Sequence, residues 1–182
     1  MGAVAKKLTW DDIKHWPEYH GRTELVDGKL VMSPVPSSRH QRICTKLGIR
    51  IGSFVYHHDL GEFFSSPLHI VLDEGVDYEP DVCFISKSRL KAHSLDVAFH
   101  GPPDLIIEVI SGSNRKHDTV TKFRHYEKYG VREYWLVDQK TERFEVWCLE
   151  GARYVSRRSF GRGQPVVTRV LKGLRLDPAQ VF

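Results

Sequence analysis

Long apolar runs are absent from the sequence. No stretch approaches the roughly 18 consecutive apolar residues of a membrane-spanning helix. The N-terminal residues, MGAVAKKLTWDD, also lack the apolar core of a secretory signal. These absences exclude a helical membrane protein, and they predict a cytoplasmic protein that makes no membrane contact.

Cysteine is scarce as well. The three cysteines, Cys44, Cys83 and Cys148, are odd in number, far apart and set among apolar residues. A disulfide framework or a zinc site requires paired or closely spaced cysteines. We therefore expect three buried, reduced thiols.

What remains is an ordinary globular composition. The chain has 182 residues, of which 41% are hydrophobic and 27% charged, and it contains no internal repeat or low-complexity tract. This composition predicts a single domain over residues 1–182.

Positive charge is concentrated at the C-terminal end. The net charge is +4, whereas residues 151–182 carry seven basic residues and one acid, Asp177, which leaves about −2 for the rest. The basic residues are Arg153, Arg157, Arg158, Arg162, Arg169, Lys172 and Arg175. Such a patch suits a phosphate backbone, and on charge alone a solvated surface explains it equally well.

Turn and capping signals divide the chain into alternating helices and strands. Asp27-Gly28 lies between two apolar-rich arms, which is the strongest short-range signal for a hairpin. The predicted helices cover residues 10–16, 39–57, 86–91 and 116–129, ended by Pro17 in the first case and by Gly130 in the last. The predicted strands cover residues 24–33 as a hairpin, 62–72, 80–85, 105–110, 132–138, 143–149 and 153–159, with loops at 74–75 and 92–103 and a turn at 111–114.

The strand Leu105–Ile110 is almost wholly apolar, which is typical of a strand buried on both faces. Its one charged residue, Glu108, requires a cation or a hydrogen-bond network, because an unpaired carboxylate in apolar surroundings is costly. Asp104 lies on the same strand face but about 13 Å away, too far to share an ion.

Asp81 opens a second apolar strand and is a better partner for Glu108. Adjacent strands lie only about 4.8 Å apart, and the repulsion between two carboxylates at about 4 Å is on the order of 4 kcal/mol at an effective dielectric of 20. Both stay ionised only if a cation joins them. Magnesium suits such a site, since it binds one or two carboxylates and takes further ligands from substrate phosphate.

The order and spacing of these acids resemble the pattern of a known superfamily. Asp81 after Pro80, Glu108 in an apolar strand 27 positions on, and a basic helix thereafter resemble the PD-(D/E)XK nuclease superfamily. Nearly the whole chain is similar to the Uma-two-like family of restriction endonucleases within it. The matching positions are Glu24…Gly28, His40-Gln41-Arg42, Pro80-Asp81, Pro103-Asp104-Leu105…Glu108-Val109-Ile110-Ser111, Asp118…Lys122…Tyr126 and Gly130-Val131-Arg132-Glu133-Tyr134-Trp135-Leu136-Val137-Asp138.

The chain departs from the superfamily pattern at one position. The superfamily lysine follows the acid by two residues, and here that position is Ile110. The resemblance implies that the following helix supplies this lysine, which indicates Lys122, with Lys116 as the fallback. Without the resemblance, Lys122 would be interpreted as a surface partner of Asp118 at i,i+4, worth about 0.3 to 0.5 kcal/mol.

The resemblance implies an α/β fold in which a mixed central β-sheet is flanked by helices, as in restriction endonucleases. It implies a Mg²⁺ or Mn²⁺ ion held by Asp81, Glu108 and the Val109 carbonyl, with Lys122 assisting the attacking water. Glu24, His40 and Tyr126 are candidate accessory residues, although Glu24 and His40 also suit a polar surface. The candidate nucleic-acid-binding residues are Arg42, Arg157 and Arg158. The expected partner is nucleic acid, with DNA as the expected form, and cutting of both strands would favour a homodimer.

Two other function classes stay open. The first is a nuclease fold that binds nucleic acid or protein without cutting, although the joint presence of Asp81, Glu108 and Lys122 argues against it. The second is an enzyme of small phosphorylated metabolites, but the chain lacks a Gly-rich phosphate loop. It also lacks a sequence-reading module such as a helix-turn-helix or a zinc finger.

Overall fold

Two mixed β-sheets, flanked by helices, form the computed structural model of the protein. The structure describes residues 6–16, 21–110 and 115–182, and for Ser156 and Arg157 it describes the backbone alone. The strands are β1 Arg22–Val26, β2 Lys29–Ser33, β3 Gly61–Ser65, β4 His69–Asp73, β5 Val76–Tyr78, β6 Val82–Ser86, β7 Ala98–His100, β8 Leu105–Ile110, β9 Glu133–Asp138, β10 Arg143–Glu150 and β11 Arg153–Phe160. The α-helices are α1 Trp10–Ile13, α2 Ser38–Leu47, α3 Ser53–His57, α4 Lys87–Ala92 and α5 Phe123–Tyr129, with π-helical segments at Gly48–Gly52 and His117–Lys122 and a 3₁₀ turn at Pro178–Gln180.

The larger sheet has the order β11-β10-β9-β8-β6-β3. Strand β8 lies near its centre, parallel to β9 and antiparallel to β6. All six residues of β8 are buried, which confirms the prediction from its apolar run. The predicted α/β fold with a mixed central sheet is therefore confirmed.

The smaller sheet, ordered β2-β1-β5-β4-β7, is not predicted by the sequence pattern. The predicted strand over 62–72 is two strands, β3 and β4, that belong to different sheets. The predicted loop at 74–75 is confirmed as the turn between β4 and β5, although β5 itself was not predicted. The predicted loop at 92–103 was partly wrong, because residues 98–100 form a short strand. The hairpin prediction is confirmed, since β1 and β2 pair around Asp27 (φ 53°) and Gly28 (φ 80°), the left-handed pair that a two-residue turn requires.

The first long helix covers one face of the larger sheet. It begins at the Ser37 cap and runs through α2, the π-helical segment and α3, where the sequence predicts a helix over 39–57. Ile43, Leu47, Ile51 and Val55 pack with residues of β6, β8 and β9. A Cβ on Gly52 would lie 3.1 Å from the Phe63 ring, so the small residue permits the close approach of the helix to β3.

The second long helix covers the opposite face of the larger sheet. It comprises His117–Lys122 and α5, and Gly130 ends it at φ 86° as predicted. Its Tyr126 packs with Ile106 and Ile110 of β8 and with Tyr78 of the smaller sheet. Strand β8 is therefore enclosed between two helices and a second sheet, which explains its burial.

Other predictions concern single elements. α1 begins at a Thr9–Asp12 capping box and ends at Ile13, so the predicted helix over 10–16 is three residues too long. α4 begins after a Ser86 cap, and the three thiols are free and buried as expected. The turn at 111–114 and Pro17 lie outside the described residues. Among the helices that the structure describes, none is long and apolar enough to cross a bilayer.

Candidate active site

Two buried carboxylates meet at the centre of the larger sheet. β6 and β8 are antiparallel with Val82 opposite Ile107, so continuing the register by one residue sets Asp81 opposite Glu108. The Val109 backbone N–H donates a hydrogen bond to Asp81 Oδ2 at 2.6 Å. Asp81 and Glu108 are only 2% and 1% exposed. The structure therefore brings together the two acids that the sequence selected.

The acids face a cavity of about 240 Å³. Its walls come from β1, the segment between β2 and α2, the start of β6 and strand β8. The lining residues that carry polar chemistry are Arg22, Ser37, His40, Asp81, Glu108 and Asp118. The cavity opens beside the N-terminus of α2, so ligands can reach both carboxylates.

Lys122 lies against the same acids. Its Nζ is 2.8 Å from Glu24 Oε1, 2.9 Å from Glu108 Oε1 and 3.7 Å from Asp118 Oδ1. The side chain is 3% exposed, so the alternative interpretation as a surface partner of Asp118 is wrong. Lys116 is exposed on the same helical segment, and the structure thus gives Lys122 the position beside Glu108.

Two further predicted residues complete the surroundings of Glu108 and Lys122. Tyr126 donates a hydrogen bond to Glu108 Oε1 at 3.1 Å. Glu24 is 1% exposed and bonds both Lys122 and the His117 ring, whose Nε2 lies 2.9 Å from Glu24 Oε2. Burial opposes ionisation of Glu24, but the charge of Lys122 and these hydrogen bonds outweigh it and lower its pKa to about 2. Glu24 is thus an ionised buried acid rather than a surface strand residue.

Arg22 is a site residue that the sequence analysis missed. Its guanidinium donates to Asp81 Oδ1, and its Nη1 lies 3.8 Å from Glu108 Oε2. The available signal was its position two residues before Glu24, since residues i and i+2 share one face of a strand. His117, on the second helix, gave no comparable signal.

His40 is buried and borders Asp81 on the other side. Its Nε2 lies 3.1 Å from Asp81 Oδ2, and its Nδ1 lies 3.5 Å from the Cys44 sulfur. Donor atoms of His40, Cys44 and Asp81 lie within 4.8 Å of one another, but burial, together with the charges of Asp81 and Glu108, raises the pKa of the Cys44 thiol. Magnesium prefers oxygen donors to a thiol, so Asp81 and Glu108 offer it the better set, whereas the set of His40, Cys44 and Asp81 would suit a softer metal ion.

The three carboxyl groups that line the cavity, those of Asp81, Glu108 and Asp118, differ in pKa. Burial raises the pKa of Asp81, but His40 and Arg22 outweigh that effect and lower it to about 2. Burial raises the pKa of Glu108, and the charge of Asp81 adds to this against Lys122. Burial likewise raises the pKa of Asp118 to about 8. Neighbouring carboxylates whose pKa values diverge in this way are typical of sites that handle protons or cations.

Asp104, the acid that the sequence analysis set aside, has a structural role. It accepts hydrogen bonds from the Ser86 backbone N–H at 2.8 Å and from Arg132 at 3.0 Å, and Arg89 Nε lies 3.3 Å away. It fixes the start of β8 and takes no part in the cavity lining.

Two of the predicted nucleic-acid-binding residues, Arg157 and Arg158, lie on β11, away from the acids. Arg42 is exposed on α2 and Arg158 is exposed on β11, while the Arg157 side chain lies outside the described part of the chain. Strand β11 is three strand positions from β8, or about 14 Å. Three basic residues of the C-terminal segment already have acidic partners, in the pairs Arg153–Glu127, Arg162–Glu142 and Arg169–Glu150.

The comparisons with known proteins agree with this geometry. The structure is similar to the crystal structure of a putative nuclease belonging to DUF820 from Anabaena variabilis ATCC 29413, with a TM-score of 0.82 and 21% identity over 96% of this chain and 97% of that one. This likeness shows the fold. A comparison with curated proteins found no match.

A family model gives the remaining finding. The model of the Uma2 family, described as "Putative restriction endonuclease", matches residues 10–179. The match includes β1, both long helices, β6 and β8, and hence every residue of the acidic cavity. It confirms the resemblance inferred from the motifs. The chain therefore belongs to the Uma2 family of "Putative restriction endonuclease" proteins.

Proposed function

We propose that the protein is a metal-dependent endonuclease that hydrolyses phosphodiester bonds of DNA. The observation that carries this proposal is that Asp81 and Glu108 line one cavity and that the Lys122 Nζ lies 2.9 Å from Glu108 Oε1. Two acids and one cation beside an accessible space supply ligands for a divalent ion and a charge for a phosphate. Membership of the Uma2 family supports the same reaction class.

The donor set fits magnesium or manganese. Asp81 and Glu108 offer hard carboxylate oxygens from adjacent strands, and we assign the Val109 carbonyl as a third ligand. The Arg22 guanidinium already lies beside both carboxylates. The two carboxylates therefore already have one cationic group as a partner. When bound, the ion would polarise the scissile phosphate and lower the pKa of the attacking water.

The protein's own residues have separate tasks in this scheme. Lys122 neutralises the charge that develops on the phosphate in the transition state. Glu24 and Tyr126 hold Lys122 and Glu108 in place, since they contact the Lys122 Nζ and Glu108 Oε1 atoms. His40 orients Asp81 through its hydrogen bond to Oδ2.

The first test is cleavage of plasmid DNA. We expect nicked or linear product in Mg²⁺ or Mn²⁺ and none in EDTA. The double variant Asp81→Asn, Glu108→Gln, purified in parallel, controls for contaminating nuclease. If the protein binds DNA but cuts it in no divalent metal, the non-cleaving nucleic-acid-binding class is correct and the proposed activity is wrong.

A second prediction concerns the basic C-terminal segment. If Arg157 and Arg158 contact phosphates, replacing both with alanine should reduce the slope of log affinity against log salt by about 1.8, at about 0.9 per contact with duplex DNA. DNA binding is measured by fluorescence anisotropy in Ca²⁺ over a salt series. Arg162→Ala is the control, because Arg162 already pairs with Glu142 and should change the slope less. An unchanged slope in the double variant would mean that β11 faces away from the nucleic acid.

A further inference from the structure

Arg22 makes contacts that the proposed reaction does not use. Its side chain begins on β1 and extends to the two carboxylates of the larger sheet, where it donates to Asp81 Oδ1 and approaches Glu108 Oε2 at 3.8 Å. The side chain is 14% exposed. The guanidinium therefore neutralises, in the metal-free protein, the same two acids that the divalent ion would bind.

One atom of this guanidinium lacks a partner. Arg22 Nε is buried and has no hydrogen-bond acceptor among the described residues. A buried donor without an acceptor is costly, and the Nε and Nη groups of arginine form a planar fork that matches two phosphate oxygens. The unused donor thus indicates that the carboxylates are not the best possible partner of Arg22.

The position of Arg22 also gives it access to substrate. It lines the 240 Å³ cavity that holds Asp81 and Glu108, and it lines a neighbouring cavity of about 70 Å³ with His40, Cys44 and Ser66. The side chain therefore forms part of the wall between the two spaces. A small change of its torsion angles would turn the guanidinium away from the acids without moving β1.

We propose that Arg22 exchanges partners during the reaction. In the metal-free protein it pairs with Asp81 and Glu108; the divalent ion takes both carboxylates, and the released guanidinium binds oxygens of the substrate phosphate. The inference rests on the proposed function, because it assumes that the ion binds these acids. It makes Arg22 a competitor of the metal and a ligand of the substrate.

A purely structural role makes a different prediction. A permanent ion pair would hold β1 against the larger sheet, so its removal would weaken every binding event at the site. The exchange predicts opposite signs: without Arg22 the carboxylates are free for the metal, whereas the phosphate loses a ligand. A charge-assisted hydrogen bond of about the usual strength corresponds to a change of about 10- to 100-fold.

The experiment compares Arg22→Ala with the parent protein. Calorimetric titration with Mg²⁺ alone should show about 10-fold tighter binding in Arg22→Ala, and anisotropy with a short DNA duplex in Ca²⁺ should show at least about 10-fold weaker binding. Arg89→Ala is the matched control. Arg89 also pairs with a buried carboxylate, Asp104, but it lies outside the cavity, so both affinities should stay at the parental values.

Each outcome decides the matter. If Arg22→Ala lowers both affinities, or leaves Mg²⁺ affinity unchanged, the exchange is wrong. If Arg22→Ala is unfolded in EDTA, its thermal unfolding is measured again at saturating Mg²⁺. The exchange predicts that Mg²⁺ raises the melting temperature of Arg22→Ala more than that of Arg89→Ala. If the parent protein binds neither Mg²⁺ nor Mn²⁺ with DNA present, the proposed metal site is wrong. If the parent protein binds metal and Arg22→Ala binds it no better, only the exchange of partners by Arg22 is wrong.

Discussion

Lys122→Ala is expected to reduce DNA cleavage by about 10²- to 10³-fold, the usual effect of removing one group that stabilises charge in a transition state. The ammonium lies 2.9 Å from Glu108 Oε1 at the proposed metal site. A cation placed there contributes more to the transition state, where charge develops on the phosphate, than to the ground state. Affinity for DNA should therefore change less than the rate.

The structure adds an effect on stability. Lys122 is in contact with three carboxylates, those of Glu24, Glu108 and Asp118, and removal of one partner of a buried ion pair costs about 3 to 5 kcal/mol. Lys122→Ala should therefore lower the melting temperature as well as the rate. Cleavage must be measured below the unfolding transition and per folded molecule.

Two further variants separate the two effects. Lys122→Arg keeps the charge, so it should recover much of the stability, but its planar guanidinium should restore cleavage poorly. Lys116→Ala, on the exposed face of the same segment, should retain both properties. Parental cleavage by Lys122→Ala, with loss of cleavage in Lys116→Ala, would assign the catalytic role to Lys116.

The predicted active-site geometry followed from burial. A lone acid in an apolar strand requires a partner, and two such strands, β6 and β8, predicted that Asp81 and Glu108 meet. Ile110 explains why the lysine is elsewhere, because it shares the face of Glu108 and packs with Tyr126 and Tyr134. The helix that covers this face supplies the cation instead. The i,i+4 spacing alone predicted only a surface pair of Asp118 and Lys122, and the family resemblance is what selected Lys122.

The missed strands lack a local signal. β5 and β7 have three residues each, too few for a periodic pattern, and their pairing depends on contacts distant in sequence. Arg22 had one local signal, its position two residues before Glu24, but its partner Asp81 lies 59 positions further along the chain. Its role depends on how the smaller sheet packs against the larger one, and the sequence pattern predicted only one sheet.

The two acids that we propose as metal ligands should respond alike in Mg²⁺ binding, and differently in stability, when each is neutralised. Asp81→Asn and Glu108→Gln are both expected to lose the calorimetric signal for Mg²⁺, because each removes a charged ligand. Asp104→Asn is the matched control, since this buried acid pairs with Arg132 outside the cavity and should lose stability while it keeps Mg²⁺ binding. Unchanged Mg²⁺ binding in both Asp81→Asn and Glu108→Gln would contradict the assignment of the site.

Stability in the absence of metal should separate the two variants, because the pKa of Asp81 is lowered from 3.8 to about 2 whereas that of Glu108 is raised. An acid with a lowered pKa stabilises the folded state above its ordinary pKa, so Asp81→Asn should cost about 2 kcal/mol at pH 7. That difference should shrink as the pH falls from about 4 to about 2, where Asp81 takes up its proton.

Ionisation of Glu108 lowers the stability of the folded state as the pH rises above 4.5, because the folded state resists this ionisation. Glu108→Gln should therefore be as stable as the parent protein at pH 7, or more stable. Urea unfolding in EDTA at pH 7, at about pH 4 and at about pH 2 measures both differences. An equal loss of stability in the two variants at pH 7 would show that Glu108, like Asp81, is held as a stabilised anion.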